Sequence, residues 1–558
     1  MSEAVVLYPR EAGSGRGGDP VGAGEQGPGP DLARATAAMT LLTAVSRCTG
    51  LVRVLVVAAV LGTTFLGNTF QSANSVSNLV FELFAAGALQ AAMIPTLVEL
   101  FARGDDAEAA RVAGSMLGLA VAVLAAVAAV GMVAAPWIMR ALVVGVEAPE
   151  VRQAQVRLGT TLLWFFLPQV VLYAAGAVAT GVLNARGRFA LPVAAPIANN
   201  VVVVAACALF WRLRDGAAPG LDLTAGQTVV LGLGATTGVL ALSAIPLVAV
   251  ARTGLSLRPR LDLGHPGVRR ILHRGGWAAL FVVASQALLA VVLVLANGVE
   301  GGVVVHQLAS TMFLVPHALF SVPVLTALFP SLARAAATGD ALGFARSVAA
   351  GLGAIALVVL PAAAALVALA APLTRVLLFG ESAAASSSVA AALAAFAPGL
   401  AGYGAFVFLA RAFDARGDTR TAAVIHLAVV ALAAVAMLAL APAVDGPGRV
   451  VVLAAVHSGA YLLGAAVLGH ELRATLSGER PGLGRPLAVG TLAAAAAGGA
   501  MWAGQQPFDG AGRLEATLVL VVAGALGAGV YLGVRTLLGG DRPSEVVAGL
   551  RRAGASGG

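Results

Sequence analysis

Long hydrophobic stretches alternate with short polar connections over almost the whole chain. Fourteen of these stretches are about 20 residues or longer, the length that an α-helix needs to cross a bilayer. The pattern therefore predicts an all-α polytopic membrane protein with about 14 transmembrane helices. We number the stretches as spans 1 to 14, at residues 37–62, 66–101, 109–137, 155–184, 188–212, 226–252, 270–299, 303–334, 342–372, 384–413, 420–443, 447–470, 484–504 and 512–537.

The segments outside the spans differ from them in composition. Residues 1–34 are rich in Gly and Pro and have no apolar period, which predicts a disordered tail, and residues 541–558 form a second tail. The first hydrophobic stretch begins too late and is too long for a cleavable signal peptide. Span 2 is longer than a bilayer requires, so a break is expected near Gly87 or Pro95.

An internal repeat groups the spans into two sets. Residues 94–118 match residues 329–353 at a constant offset of 235, including Gly104-Asp105 with Gly339-Asp340. Both copies follow even-numbered spans that are six apart, so they have the same orientation and predict two pseudo-symmetric six-helix lobes with a site between them. The predicted divisions are an N-terminal lobe at 35–253, a C-terminal lobe at 254–475 and two extra transmembrane helices at 476–540.

Basic residues predict the orientation in the membrane. All 35 basic residues are arginine; the loops after even-numbered spans, with their flanks, hold 18 of them, against 8 after odd-numbered spans. Since cytoplasmic loops carry the excess of positive charge, the even-numbered loops and both termini are expected in the cytoplasm. We call the two sides of the protein the even-loop face and the odd-loop face.

Composition excludes several classes of protein. The chain is 59% hydrophobic and 11% charged, which is too little charge for the surface of a soluble protein of this size. The net charge of +8 comes from scattered loop arginines, so no nucleic acid partner is expected. Cys48 and Cys207 both fall in spans and have no disulfide or metal-ligand spacing, so no metal or cofactor is predicted.

The first two spans carry an unusual set of polar side chains, namely Arg47, Arg53, Gln71, Asn74, Asn78 and Glu82. Arg47 and Arg53 lie near the middle of span 1, where an arginine costs at least about 3 kcal/mol unless it faces water or a partner. The four polar residues of span 2 are spaced by 3, 4 and 4, which makes one stripe on a helix. We therefore expect these six residues to bind an anionic substrate in a wet chamber, because arginine presents a bidentate fork to phosphate oxygens.

Each of these features also has a structural interpretation. The arginines could pair with Glu82, and the amides of the stripe could form hydrogen bonds between helices. Glu82 could carry a proton or neutralise an arginine. His306 and Gln307 near the start of span 8 are further candidates for head-group contact.

Short motifs in both halves resemble the MurJ/MviN family, the bacterial lipid II flippases of the multidrug/oligosaccharidyl-lipid/polysaccharide exporter superfamily. The residues that carry the resemblance are Ser46-Arg47, Gly50-Leu51-Val52-Arg53, Asn78-Leu79, Leu83-Phe84-Ala85-Ala86-Gly87-Ala88, Ile94-Pro95, Pro316 and Leu328-Phe329-Pro330-Ser331-Leu332. The resemblance implies a flippase that moves an undecaprenyl-diphosphate-linked glycan, in first place lipid II, by alternating access. It also implies a cationic cavity for the head group and a groove of spans 13 and 14 for the polyprenyl tail.

The chain departs from the family at several positions. Two further family arginines would fall on Phe81 in span 2 and Thr311 in span 8, and an acidic family position falls on Asn68. The resemblance further implies a bacterial plasma membrane protein that contacts membrane lipids, acts as a monomer and has the cell-wall synthesis machinery as a candidate partner.

Other functions remain to be weighed against a flippase. A drug or cation antiporter of the MATE type generally uses several buried carboxylates, whereas Glu82 is the one carboxylate placed well inside a span. A non-transporting cell-wall scaffold is compatible with the missing arginines. A lipid-linked glycosyltransferase is disfavoured because the first odd-loop connection, at 62–67, is short and uncharged. No phosphate-loop motif is present, and the chain is not expected to be an enzyme.

Overall fold

In the computed structural model the described part of the chain is helical throughout, without strands, which confirms the all-α fold class. The structure describes residues 30–84, 90–262, 276–476, 484–508, 510, 512–540 and 544–545. The α-helices are Pro30–Leu61, Phe65–Phe84, Gln90–Ala102, Asp106–Leu142, Pro149–Phe166, Gln169–Ala185, Ala190–Leu213, Ala225–Ala251, Gly276–Asn297, Gly302–Pro316, Val322–Ala337, Ala341–Ala368, Ala370–Leu377, Ser386–Phe396, Gly399–Ala415, Thr419–Leu440, Gly448–Thr475, Gly484–Gln505 and Arg513–Leu537.

The helices correspond to the predicted spans. Among the described residues, twelve helical segments are long and apolar enough to cross a membrane, and some of them consist of two consecutive helices. Span 10 makes a thirteenth if its two parts, Gly380–Phe396 and Gly399–Ala415, are counted together despite a bend of 47°. Span 2 corresponds to two helices, Phe65–Phe84 and Gln90–Ala102. The expected break is therefore not at Pro95, which lies inside the second helix, while Gly87 falls outside the described residues.

Two boundaries differ from the sequence prediction. The helix of span 1 begins at Pro30, so residues 30–34 of the predicted tail are helical. Proline is well suited to a first helical position, because its fixed φ fits and its missing N–H would have no helical partner there. Span 9 ends at Ala368 instead of continuing to 372, and the short helix Ala370–Leu377 follows it.

The last two spans pack as a pair against span 9. Near the odd-loop face, the guanidinium of Arg513 donates hydrogen bonds to the carbonyl oxygens of Arg375 and Leu378. Towards the other face, the Tyr531 hydroxyl donates to the carbonyl oxygen of Leu357 at 3.0 Å. Spans 13 and 14 are therefore attached to the second half of the chain at two levels. We call spans 1–6 the first half and spans 7–12 the second half.

The sequence repeat is also a repeat of local structure. Gly104 and Gly339 both adopt positive φ, at 73° and 69°, a conformation that glycine adopts without strain. The next residue, Asp105 or Asp340, accepts a hydrogen bond from the third backbone N–H of the following helix. Both copies of the repeat therefore form the same turn followed by the same helix cap.

Candidate functional site

Arg53 lies in the interior of the first half of the chain. Its helix, Leu41–Leu61, packs extensively against span 5. The guanidinium interacts electrostatically with Tyr173 of span 4 and Cys207 of span 5, and its Nε atom is buried without a hydrogen-bond partner in the described structure. An unpartnered N–H donor on a buried cation is available to an incoming anion.

Arg47 lies on a different side of the same helix. Six residues separate it from Arg53, which corresponds to about 9 Å along the axis and about 120° around it. Arg47 interacts electrostatically with His317 of span 8, in the second half of the chain. Between the two arginines, Asn200 of span 5 donates a hydrogen bond to the Thr49 hydroxyl at 3.0 Å, which fixes the rotation of span 1. The two arginines therefore face opposite halves of the protein.

Span 2 has two polar faces with different environments. The partly exposed face carries Gln71, Asn74 and Asn78, and no hydrogen bond joins these amides to another described residue. The interhelical hydrogen bonds of span 2 are made instead by its buried face, which carries Asn68, Thr69, Ser72 and Ser77. The polar stripe identified in the sequence is therefore the face of span 2 that makes no hydrogen bonds to neighbouring described helices.

Glu82 belongs to the same region as Arg53. Both side chains interact electrostatically with Tyr173, whose ring stacks on Phe81 with 4.7 Å between centroids. Phe81, where the sequence resemblance placed an arginine of the family, therefore packs against another ring. Thr311, the second such position, donates to the carbonyl oxygen of Gln307 at 2.7 Å within its own helix. The structure thus brings together Arg53, Glu82 and Tyr173, and it places Arg47 beside His317.

Asn68 joins the two halves at the odd-loop face. Its amide donates to the carbonyl oxygen of Val299 at 2.8 Å and accepts from the backbone N–H of Val303 at 3.0 Å. In the same region Asn297 donates to the Ser72 hydroxyl at 2.8 Å. Because all these atoms are buried, each hydrogen bond satisfies a polar group that would otherwise lack a partner.

Replacing Asn68 by alanine is expected to destabilise the protein by about 2–4 kcal/mol, because two buried backbone groups lose their partners. The measurement is the thermal unfolding of purified protein in detergent. Gln71→Ala, on the exposed face of the same helix, serves as the matched control and should leave the melting temperature unchanged. Equal melting temperatures for Asn68→Ala and the wild type would contradict the role assigned to Asn68.

An ion pair also connects the two halves at the odd-loop face, and we call these contacts together the closure of that face. Arg214, at the end of span 5, contacts Glu381 at the start of span 10 at 2.6 Å and donates to the carbonyl oxygen of Val60 at 2.7 Å. The guanidinium is almost completely buried, whereas the Glu381 side chain is 40% exposed. Gly380 adopts positive φ and lies directly against the backbone of Ala59, so that a side chain at position 380 would both strain the turn and collide.

The even-loop face is organised differently. The helix Gln90–Ala102 packs on spans 3 and 4, and its counterpart Val322–Ala337 packs on spans 9 and 10. Each of these helices thus packs within its own half. The contacts of Asn68 and Arg214, by contrast, cross from one half to the other at the odd-loop face.

An apolar cavity of about 440 Å³ lies in the second half of the chain, beside span 13. It is bounded by spans 9, 10 and 12 and by the start of span 13, and its lining includes Val359, Ala405 and Leu409. His470 and Arg473 line it as well, in the part of span 12 nearest the even-loop face. The cavity thus lies beside span 13 and not between spans 13 and 14.

Sequence reasoning missed Tyr173, Asn200 and His317 as neighbours of the two arginines. Tyr173 is one of only five tyrosines, and a phenol in mid-span is a signal that could have been used. The pairings themselves depend on the rotation of each helix, which composition and spacing do not give. His306 packs in the second half against Phe396, at 5.3 Å between rings, and not beside the arginines.

The chain was compared with known protein families and curated proteins. The family model described as "Lipid II flippase MurJ" matches residues 57–515. A lipid II flippase MurJ of Burkholderia cenocepacia is 30% identical over 430 residues, which cover 75% of this chain and 80% of the relative. A probable lipid II flippase MurJ of Vibrio cholerae is 29% identical over 398 residues, covering 69% and 72% of the two chains.

Solved structures show the same fold. A lipid II flippase MurJ in an inward closed conformation superposes with a TM-score of 0.72 at 17% identity and covers 90% of this chain and 98% of its own. An inward-facing multidrug resistance MATE family transporter of the MOP superfamily reaches a TM-score of 0.61 at 15% identity, covering 79% of this chain and 98% of its own.

Proposed function

The chain belongs to the lipid II flippase MurJ family, a family of transporters, and we propose that it moves lipid II from the inner to the outer leaflet of a bacterial plasma membrane. Its many apolar helices make it a multi-pass membrane protein. The proposed cycle is alternating access, in which the space between the halves opens first to one face and then to the other. The even-loop face is the cytoplasmic one in this proposal, in agreement with its excess of arginines.

One observation carries the assignment of the head-group site. Arg47 and Arg53 lie about 120° apart around span 1, Arg47 near His317 of the second half and Arg53 near Tyr173 of the first half. A diphosphate offers oxygens in several directions, so two separated guanidinium groups can bind it from both sides. The proposed site consists of Arg47, Arg53, Gln71, Asn74, Asn78 and Glu82, together with Tyr173.

Glu82 acts in this site as a structural counter-charge. Tyr173 interacts electrostatically with both Glu82 and Arg53, so the two charges belong to one neighbourhood. A carboxylate next to the phosphate site repels every anion. Only an anion that contacts both arginines gains enough binding energy to overcome this repulsion, which favours a diphosphate.

The MATE alternative receives no support from the site. The proposed site contains one carboxylate and two arginines, which suits an anion better than a cationic drug. The scaffold alternative predicts that the chain moves no lipid at all. A direct transport assay therefore distinguishes a scaffold from a flippase.

The proposal is tested in bacterial cells that are depleted of their own lipid II flippase and express this chain. The measurement is the fraction of lipid II that becomes accessible to an enzyme that cleaves it only from outside the cell. Restored cleavage is the expected result. Absence of cleavage, with protein shown to be folded and inserted, would reject lipid II as the cargo and favour another lipid-linked glycan or a scaffold.

A further inference from the structure

The apolar cavity beside span 13 is a cleft between two spans. Span 12 packs extensively on span 10, and span 13 packs on span 9, but no extensive packing joins spans 12 and 13 within the described residues. The cavity lies in this gap, with spans 9 and 10 behind it and Leu487 of span 13 at its side. Three of its lining residues are exposed, namely Ala466, His470 and Arg473. Because Ala466 lies within a span, the cleft is open to the lipid that surrounds the protein.

The helix period explains the shape of the cleft. Residues four apart share a helix face, and Ala465, Gly469 and Arg473 of span 12 follow that spacing, as do Ala401 and Ala405 of span 10. Eight residues of an α-helix correspond to about 12 Å, so the cleft is elongated along the helices. Its volume of about 440 Å³ lies in the range of pockets that bind small ligands.

The charged groups of the cleft are all at one end. Its lining is apolar except for His470 and Arg473, in the last two turns of span 12 next to the even-loop face. Neither side chain has a hydrogen bond or an ion pair to another described residue. Glu471, the neighbouring carboxylate, lies on a different face of the helix and does not line the cleft. The mouth of the cleft is therefore cationic.

An elongated apolar cleft with cations at its mouth is complementary to an anionic phospholipid, which has a long apolar chain next to a phosphate. The bilayer interior is as apolar as the cleft, so an acyl chain gains little by moving into it, and a preference must come from the head group. Arginine binds phosphate oxygens with two parallel hydrogen bonds. A zwitterionic phospholipid offers the same phosphate together with a cation that this mouth repels.

We propose that the cleft binds one acyl chain of an anionic phospholipid from the leaflet on the even-loop side, and that Arg473 and His470 contact its phosphate. The bound chain fills the gap between span 12 and the pair formed by spans 13 and 14. An undecaprenyl chain is several times longer than a phospholipid chain and would extend far beyond the cleft. This inference goes beyond the proposed function, because it concerns a lipid that the protein retains and not the lipid that it moves.

The test uses purified full-length protein in detergent with a phosphatidylglycerol that carries a photoactivatable diazirine on one acyl chain. After irradiation the labelled peptides are identified by mass spectrometry. Labelling is expected within the cleft, at residues 401–409 of span 10 and 465–469 of span 12. Unlabelled phosphatidylglycerol should suppress it at a concentration about tenfold lower than phosphatidylcholine with the same chains, as expected for one charge-assisted contact.

Two variants test the cleft and its mouth separately. Gly469→Leu fills the cleft and should fold, because a Cβ atom at this position would be in ordinary contact with Leu409, at 3.8 Å. It should reduce labelling in the cleft by about tenfold. Arg473→Gln together with His470→Gln keeps the cleft and removes its cations, so both phospholipids should then compete equally. Ala405→Phe is a second cavity-filling variant, should Gly469→Leu fail to fold.

The chain offers a matched control for each variant. Gly459→Leu adds the same side chain at an exposed position of span 12 with nothing within 4 Å, and it should leave labelling unchanged. Arg334→Gln removes an exposed arginine of span 8 on the even-loop face, and it should retain the preference for phosphatidylglycerol.

The proposal would be overturned by labelling that is spread over all lipid-facing helices, or by labelling of the cleft that a folded cavity-filling variant leaves unchanged. Equal competition by the two phospholipids in the wild type would overturn it as well. Suppression by undecaprenyl diphosphate at a lower concentration than by phosphatidylglycerol would assign the cleft to the tail of a polyprenyl lipid instead. None of these measurements involves transport, so the result is independent of whether lipid II is the cargo.

Discussion

Arg53→Ala is expected to abolish lipid II flipping while the protein remains folded in the membrane. The variant removes the guanidinium that faces Tyr173 and Cys207 and whose Nε atom is buried without a partner. Hydrogen bonds to charged groups contribute about 1.5–3 kcal/mol each, so losing this contact should reduce head-group binding by about 10- to 100-fold. Folding should tolerate the change, because no ion pair within the described structure depends on Arg53.

The measurement is external cleavage of lipid II in cells that lack another flippase. Arg53→Lys retains the charge without the bidentate fork and should recover only part of the activity. Arg346→Ala changes an exposed arginine near the start of the helix Ala341–Ala368, on the even-loop face. It controls for the loss of any arginine and should flip lipid II at the wild-type rate. Full activity of Arg53→Ala would remove Arg53 from the head-group site.

Arg214→Ala is expected to shift the conformational equilibrium towards an open odd-loop face. The variant breaks the ion pair with Glu381 and leaves the carbonyl oxygen of Val60 without its donor. Because Glu381 is partly exposed, we assign the contact about 1–2 kcal/mol, which is below the value for a fully buried pair. That energy corresponds to a 5- to 30-fold larger open population.

The open population is measured with a single cysteine at Val304, a buried position against span 2, in protein that carries Cys48→Ser and Cys207→Ser. A membrane-impermeant thiol reagent should label Val304→Cys about tenfold faster when Arg214 is replaced by alanine. Exchanging the charges, by Arg214→Glu together with Glu381→Arg, should restore slow labelling in part. Equal labelling rates with and without Arg214 would show that the ion pair does not hold this face closed.

Much of the fold could be predicted because a bilayer imposes the same length requirement on every helix that crosses it. The sequence repeat corresponds to a repeat of local structure, because each turn needs a left-handed residue, Gly104 or Gly339, before the capping aspartate. The bend of span 10 was not predicted, although Pro398 marks the start of its second helix.

The candidate site could be predicted only in part. Spacing gave the angle of about 120° between Arg47 and Arg53, but the side of the protein that each faces depends on the rotation of span 1 against span 5. Arg214 and Glu381 are 167 residues apart, and no local period relates them. Asn68 and Gln71 both look like cavity residues in the sequence, and only the position of the neighbouring helices separates the structural face of span 2 from the exposed one.

The closure of the odd-loop face has a consequence for the energy of the cycle. Its contacts at Asn68, Asn297 and Arg214 are hydrogen bonds to backbone and side-chain oxygens, and water can replace each of them one for one. The same face also contains apolar residues of both halves that share one core, such as Leu66 and Val303, and their separation would expose apolar surface. The free energy of opening this face is therefore set mainly by its apolar residues, since water can take over the polar contacts.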